Sequence, residues 1–235
     1  MTAQPHLLPW FYLAAGAYAG SLLFYLLSRT KIALPVLAGG LVCHGVTLGE
    51  RLYHFGTAVP LNLFTELYFL PWLLAALTLF LGTQTRSPQT GLSLLIPLNA
   101  LMVLALVLVA KPVTPSPFTA TWFAGGFFCS ETASHALFIT AGWFGFLFLT
   151  GRSTEPWFNG PTIWGFILYS IAQVLGAIWS WLGWAVPFHW SDRHLISAAI
   201  WCFYCAYLHL QFSRRWSPRE KAWLTMSGAL LVCII

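Results

Sequence analysis

Residues 8 to 28, 92 to 110 and 161 to 181 contain no Asp, Glu, Lys or Arg. An uncharged run of this length, at about 1.5 Å per helical residue, can cross the roughly 30 Å hydrocarbon core of a bilayer. Inside that core every backbone N–H and C=O must be satisfied within the protein, so such a run spans as an α-helix. Five further apolar runs, near 32 to 49, 60 to 82, 120 to 149, 194 to 213 and 222 to 235, are bounded by Pro, Gly or charge. The pattern predicts an all-α polytopic membrane protein with about eight transmembrane helices in one bundle. Charged residues make up 7% of the chain, against about 25% in soluble domains. With no room left for a soluble domain, residues 1–235 are expected to form a single transmembrane domain.

The segment before the first apolar run lacks Lys and Arg, unlike the basic start of a secretory signal peptide, so that run is expected to be a true span. The formal net charge is +5, but the basic residues sit at the ends of apolar runs. Topology accounts for them and no nucleic-acid partner is expected. With the N-terminus outside, eight of the eleven face the cytoplasm (Arg29, Lys31, Arg86, Arg152, Arg214, Arg215, Arg219 and Lys221) and three (Arg51, Lys111 and Arg193) face outward. The five cysteines lie within apolar runs, where they read as small buried filler. The CFYC pair is followed by Ala206 instead of the His that covalent haem attachment requires.

Polar groups at membrane depth are costly and tend to face a cavity, a partner or a cofactor. Glu66, with Asn62 and Thr65 near it, is such a group, as is Glu131, which Ser130, Thr132 and Ser134 can satisfy locally. His44, His135 and His209 are candidate axial ligands for a haem iron, and hydrogen-bonded packing is the alternative for each. Gly39, Gly40 and Gly45 beside His44, and Gly142 one heptad beyond His135, clear space in which a flat macrocycle could approach the backbone. Depth, counted from the basic ends of the helices, groups His44 with His135 in the outer leaflet and leaves His209 for a second, inner site or a partner's haem. His194, Ala198, Trp201, Cys205 and His209 recur at helical spacing and form one helix face.

The stretch GWAVPFHWSDRHLISAAIW, residues 183 to 201, is the densest polar and aromatic segment in the chain. An interfacial aromatic belt is the simpler explanation for its tryptophans. However, Trp184, Phe188 and Trp190 cluster around Pro187 and are followed at once by Asp192, Arg193 and His194, with Trp179 and Trp201 flanking. Aromatic rings beside an arginine and a histidine suit a planar, anionic, iron-bearing ligand such as haem. A loop over residues 180–192 is expected to lie on the outer face, with Trp184, Phe188 and Trp190 turned inward.

The run GAIWSWLGWAVPFHWSDRHLISAAIWCFYCAYLHLQ resembles the tryptophan-rich signature of the cytochrome c assembly family, membrane haem-handling proteins that include the CcsA and ResC subunits of cytochrome c synthase. Trp179, Trp184, Trp190, Trp201, Tyr207, Leu208 and His209 coincide with that pattern. The block GTAVPLNLFTELYFLPW is similar to a second family motif at Pro60, Leu61, Asn62, Glu66, Phe69 and Trp72, and SHALFITAGWFGFLFL matches more weakly at Ser134, Ala136, Leu137 and Phe138. The family's Asp-Pro-Lys-Glu is Ser191, Asp192, Arg193 and His194 here, and its outer histidine before the signature falls near Gly126 or Phe127. The resemblance implies a haem b-binding, haem-handling subunit of a bacterial cytoplasmic (inner) membrane or its equivalent, acting more by binding and transport than by catalysis. Its partners would be the lipid bilayer, other membrane subunits and an external c-type cytochrome or apocytochrome. A haem b electron-transfer subunit linked to quinol, and a haem-free membrane anchor of a larger complex, stay open as alternatives.

Overall fold

The computed structural model describes residues 9–55, 63–84, 88–108, 121–188, 190–211, 213 and 215–234. Among them all regular structure is helical: α1 Pro9–Leu26, α2 Thr30–Phe55, α3 Leu63–Gln84, α4 Pro88–Leu92, α5 Leu95–Val107, α6 Trp122–Leu149, α7 Asn159–Trp184, α8 Asp192–Gln211 and α9 Pro218–Ile234. Among the described residues five stretches are long and apolar enough to cross a membrane: Thr30–Arg51, Leu67–Gln84, Gln89–Val107, Trp122–Leu149 and Asn159–Trp184. The all-α polytopic expectation is borne out, and the chain is an integral membrane protein. α1, α8 and α9 also lie where runs were expected; α1 carries no charge, whereas α8 opens on Asp192-Arg193-His194 and α9 carries Arg219-Glu220-Lys221. The chain divides into two compact units, 1–116 and 117–235, which are described separately.

In the first unit α1 and α2 pair as a hairpin. Ser28 takes a left-handed conformation (φ 59°) at the reversal, and the Ser21 hydroxyl donates to the Ala33 carbonyl across it at 2.8 Å. The helices approach closely at Gly40, where a Cβ would come 2.8 Å from the Tyr18 ring. His44, fully buried, joins three helices. Its Nε2–H donates to the Tyr68 carbonyl of α3 at 2.8 Å, and its Nδ1 therefore accepts the Tyr18 hydroxyl of α1 at 3.2 Å. The Trp72 indole N–H donates to the Leu41 carbonyl at 3.2 Å, adding a second tie from α3 to α2. The run expected at 92–110 begins instead at Pro88 and breaks between α4 and α5. Gly91 is required there, since any Cβ would sit 2.6 Å from the Gly82 backbone nitrogen of α3.

The second unit is organised on α6, 16 of whose 28 residues are buried. Thr121 caps its start, its side chain accepting from the Ala124 N–H at 3.1 Å. α9 lies against α6 through small residues: a Cβ on Gly142 would come 2.2 Å from the Ala229 Cβ, and one on Gly145 would lie 3.0 Å from the Ala222 carbonyl oxygen. Such contacts let backbones approach within a membrane, where helix association relies on van der Waals packing. Phe138 of α6 stacks on Tyr204 of α8, ring centroids 3.6 Å apart, in a core that includes Tyr169, Ile200 and Tyr207. Gly165 of α7 receives the same Phe138 ring.

Candidate functional site

Where α7 and α8 face each other near their joining loop, small side chains leave a space unfilled. Gln173, Gly176 and Ala177 follow one another at helical spacing on α7, as do His194, Ser197, Ala198, Trp201 and Cys202 on α8. Together with Phe127 of α6, Trp179, Arg193, and Pro187 and Phe188 of the loop, they line a cavity of about 380 Å³. That volume falls in the range of small-molecule sites, about 300–1,000 Å³. Gly and Ala form the floor and aromatic rings form the walls.

Local chemistry holds the walls in place. Trp179 stacks on Phe127, centroids 5.9 Å apart and planes 27° apart. A Cβ on Gly176 would press on the same phenyl ring at 3.0 Å, so glycine keeps Phe127 where it is. Ala185 adopts a left-handed conformation and caps α7, its N–H bonded to the Trp181 carbonyl. The Ser180 hydroxyl then donates to the Val186 carbonyl at 2.7 Å, folding the loop back over the helix end. Phe188 meets His194 edge-on at 5.4 Å, and the Ser191 hydroxyl lies 3.0 Å from His194 Nδ1. The Trp201 N–H donates to the Ser170 hydroxyl of α7 at 3.1 Å.

The charged element of the wall is Arg193. Its Nη2 donates to Glu131 Oε2 of α6 at 2.5 Å, the Glu131 side chain being 6% exposed and that of Arg193 40%. The guanidinium also lies over the Phe127 and Phe128 rings at 5.3 and 5.1 Å, a cation–π arrangement. Two side-chain N–H groups of cavity-lining residues, Arg193 Nε and Gln173 Nε2, are buried without a hydrogen-bond partner. Buried donors in native proteins are ordinarily paired.

The structure thus gathers Trp179, Phe188, Arg193, His194 and Trp201, five residues anticipated from sequence, around one space. It alters other expectations. α7 continues through Trp184, so the connection spans 185–191 instead of 180–192. Trp184 packs edge-on against Trp179 but is 49% exposed, and Trp190 is 82% exposed. Neither lines the cavity, and the inward convergence expected of them is not seen. The left-handed Ala185 ends α7 directly after Trp184, and the chain that turns back brings in Pro187 and Phe188. Asp192 begins α8 in the first turn, where the helix dipole favours a carboxylate. Asn62 lies outside the described residues, and Glu66 belongs to the first turn of α3.

The three candidate iron ligands occupy separate environments, none of them lining the cavity. His44 has both ring nitrogens bonded within the first unit. His135 is buried beside Tyr169, ring centroids 5.9 Å apart. His209 is exposed on α8, its Nδ1–H donating to the Cys205 carbonyl at 2.8 Å. Of the glycines expected to clear space beside them, Gly40 meets Tyr18, Gly45 meets Trp72 and Gly142 meets Ala229, whereas a Cβ on Gly39 would meet nothing within 4 Å. Among the described residues no group of three or more His, Cys, Asp or Glu converges on a common point.

Two contributors escaped the sequence reading. Gln173 is an amide in the middle of the uncharged run 161–181, which is itself a signal of a polar contact at depth. The Glu131–Arg193 pair joins residues 62 apart; the Thr132 and Ser134 hydroxyls beside Glu131 donate to backbone carbonyls, and a cation reaches its carboxylate from α8.

No protein-family model matches the chain. Shorter similarities do occur. The cytochrome c biogenesis protein CcsA of Prochlorococcus marinus subsp. pastoris is 37% identical over 73 residues, covering 30% of this chain and 23% of that protein. CcsA of Prochlorococcus marinus strain MIT 9312 is 34% identical over 70 residues, with 30% and 23% covered. CcsA of Synechococcus sp. strain RCC307 is 31% identical over 70 residues, with 30% and 22% covered. The match therefore spans less than a quarter of the length of these curated relatives. The resemblance read from the tryptophan-rich segment is borne out, and over the shared segment the chain is similar to the CcsA cytochrome c biogenesis proteins.

Proposed function

We propose that this protein is a membrane haem-binding subunit of cytochrome c maturation, and that its haem is haem b, seated in the cavity between α7, α8 and the tryptophan-rich loop. The observation that carries this reading is the cavity itself: aromatic rings, small Gly and Ala residues and one arginine line it together. A planar apolar ring with carboxylate substituents matches each of those features. Trp179, Trp201 and Phe188 would hold the ring, and Arg193 would face its anionic edge. His194 would bring an imidazole to the same space. Haem supplies a redox-active iron when bound; the protein's own part is to bind, orient and shield it. The loop would lie on the outer face of a bacterial inner membrane, where membrane subunits and an external apocytochrome could reach it.

The experiment is a haem titration of the detergent-purified chain, followed by absorbance and tryptophan fluorescence. Saturable binding with quenching is expected, abolished by Ala198→Phe, which fills the cavity floor. Ala199→Phe, on the exposed face of the same helix, should leave binding intact. Equal binding by both variants, or no saturable binding by the unaltered chain, refutes the assignment.

A further inference from the structure

At the end of the second unit opposite the tryptophan-rich loop, basic residues from separate helices are brought to one level. α6 ends in a Schellman turn: Gly151 is left-handed (φ 72°), its N–H bonds the Phe148 carbonyl at 3.2 Å, and the Arg152 N–H bonds the Leu147 carbonyl at 2.9 Å. Arg152 therefore stands just beyond the helix end. α9 runs antiparallel to α6, because Gly142 meets Ala229 and Gly145 meets Ala222, so the start of α9, with Arg219 and the preceding Arg215, lies beside that end. Two hydrogen bonds draw in the other helices: Gln211 Nε2 of α8 donates to Asn159 Oδ1 of α7 at 2.6 Å, and Lys221 Nζ of α9 donates to the Gln211 carbonyl at 2.8 Å.

Lys221 is thus engaged within the fold, whereas the exposed side chains of Arg152, Arg215 and Arg219 have no carboxylate at ion-pair distance among the described residues. Of the acidic groups at this end, Glu220 is taken up by the Ser217 N–H and hydroxyl, and Glu155 is exposed on the α6–α7 connection. Along one face of α9 the order is Arg219, Trp223 (52% exposed) and Leu230 (55% exposed). Charge, interfacial ring and apolar side chain follow one another as headgroup, interface and acyl chain do in a lipid leaflet. We propose that this rim binds an anionic phospholipid, Arg152, Arg215 and Arg219 meeting the phosphate and the acyl chains running along the α9 face past Trp223. The planar guanidinium fork matches phosphate oxygens, and basic groups gathered at the ends of membrane helices suit such headgroups. This site is independent of the haem reading.

The test is native mass spectrometry of the full chain in detergent with equal amounts of phosphatidylglycerol and phosphatidylcholine bearing the same acyl chains. Phosphatidylglycerol is expected to be retained about tenfold or more over phosphatidylcholine, and Arg152→Gln or Arg219→Gln should each reduce that preference about fivefold, the scale of one basic residue at an anionic lipid surface. Both side chains are exposed, and an unaltered circular dichroism spectrum checks that each variant keeps its helices. Arg29→Gln, at the α1–α2 turn of the first unit, should leave the preference as it is. Equal retention of the two lipids by the unaltered chain overturns the proposal. So does a loss from Arg29→Gln as large as that from Arg152→Gln, which would mark a general attraction to anionic lipid. Displacement of phosphatidylglycerol by inorganic phosphate would make the rim a site for the free ion and overturn its assignment to lipid.

Discussion

The ion pair between Glu131 and Arg193 should respond unequally to loss of its two members. The Glu131 side chain is 6% exposed and that of Arg193 is 40% exposed. Arg193→Met leaves a carboxylate in an environment that water scarcely reaches. Loss of one member of a fully buried pair costs about 3–5 kcal/mol, whereas an exposed pair contributes about 0–1 kcal/mol. With one partner buried and the other partly solvated, Arg193→Met should cost about 2–3 kcal/mol, discounted for screening at the exposed side. Glu131→Gln leaves a guanidinium that can hydrate and keeps its contact with two phenyl rings, so its cost should be about 1 kcal/mol. The double variant retains neither charge and should lose about 1 kcal/mol, giving a coupling of about 2 kcal/mol. In a chain of this size each kcal/mol moves the melting temperature by about 2–4 °C, so Arg193→Met should melt about 4–12 °C lower. Thermal unfolding of the four proteins in one detergent measures the cycle. Equal costs for the two single variants, or a coupling below about 0.5 kcal/mol, would show that the carboxylate is not held by this arginine.

Three further outcomes follow from packing and hydrogen bonding. Gly142→Ala places a methyl group 2.2 Å from the Ala229 Cβ and should destabilise by about 1–3 kcal/mol; Ala229→Gly should restore most of the lost melting temperature, and absence of rescue would count against the close α6–α9 contact. Tyr18→Phe deprives buried His44 Nδ1 of its donor and should cost about 1–3 kcal/mol, read as a lower melting temperature with haem binding unaltered; a change in the haem spectrum would instead assign His44 to the iron. Ser217 and Glu220 cap α9 reciprocally, the Glu220 carboxylate accepting from the Ser217 N–H at 2.7 Å and the Ser217 hydroxyl from the Glu220 N–H at 3.3 Å. Those bonds hold the Glu220 carboxyl below its ordinary value of 4.5, so the cap is at full strength above that value and is lost as pH falls through the lower, folded one. Amide exchange at the start of α9 should accelerate on acidification in the unaltered chain but be independent of pH, after correction for intrinsic rates, in Glu220→Gln.

Helical class and membrane residence could be read from the sequence because both follow from local properties: uncharged length and the need to satisfy backbone groups within each segment. The density of Trp, Arg and His between residues 179 and 201 likewise marked the candidate site, since polar and aromatic groups stand out against an apolar background. Ligand assignment was different. His44, His135 and His209 are all histidines at membrane depth, and sequence cannot distinguish an imidazole that bonds two neighbouring helices from one that faces a cavity. Gly40 and Gly142 were legible as cleared surface, but what fills the clearing, Tyr18 or Ala229, is set by the neighbouring helix. Tertiary structure alone chose Phe188 over Trp190 for the wall, through the left-handed turn at Ala185, and joined Glu131 to Arg193 across 62 residues. Periodicity records which face of a helix is apolar, whereas a pocket depends on which side chains from separate helices meet and which leave space between them.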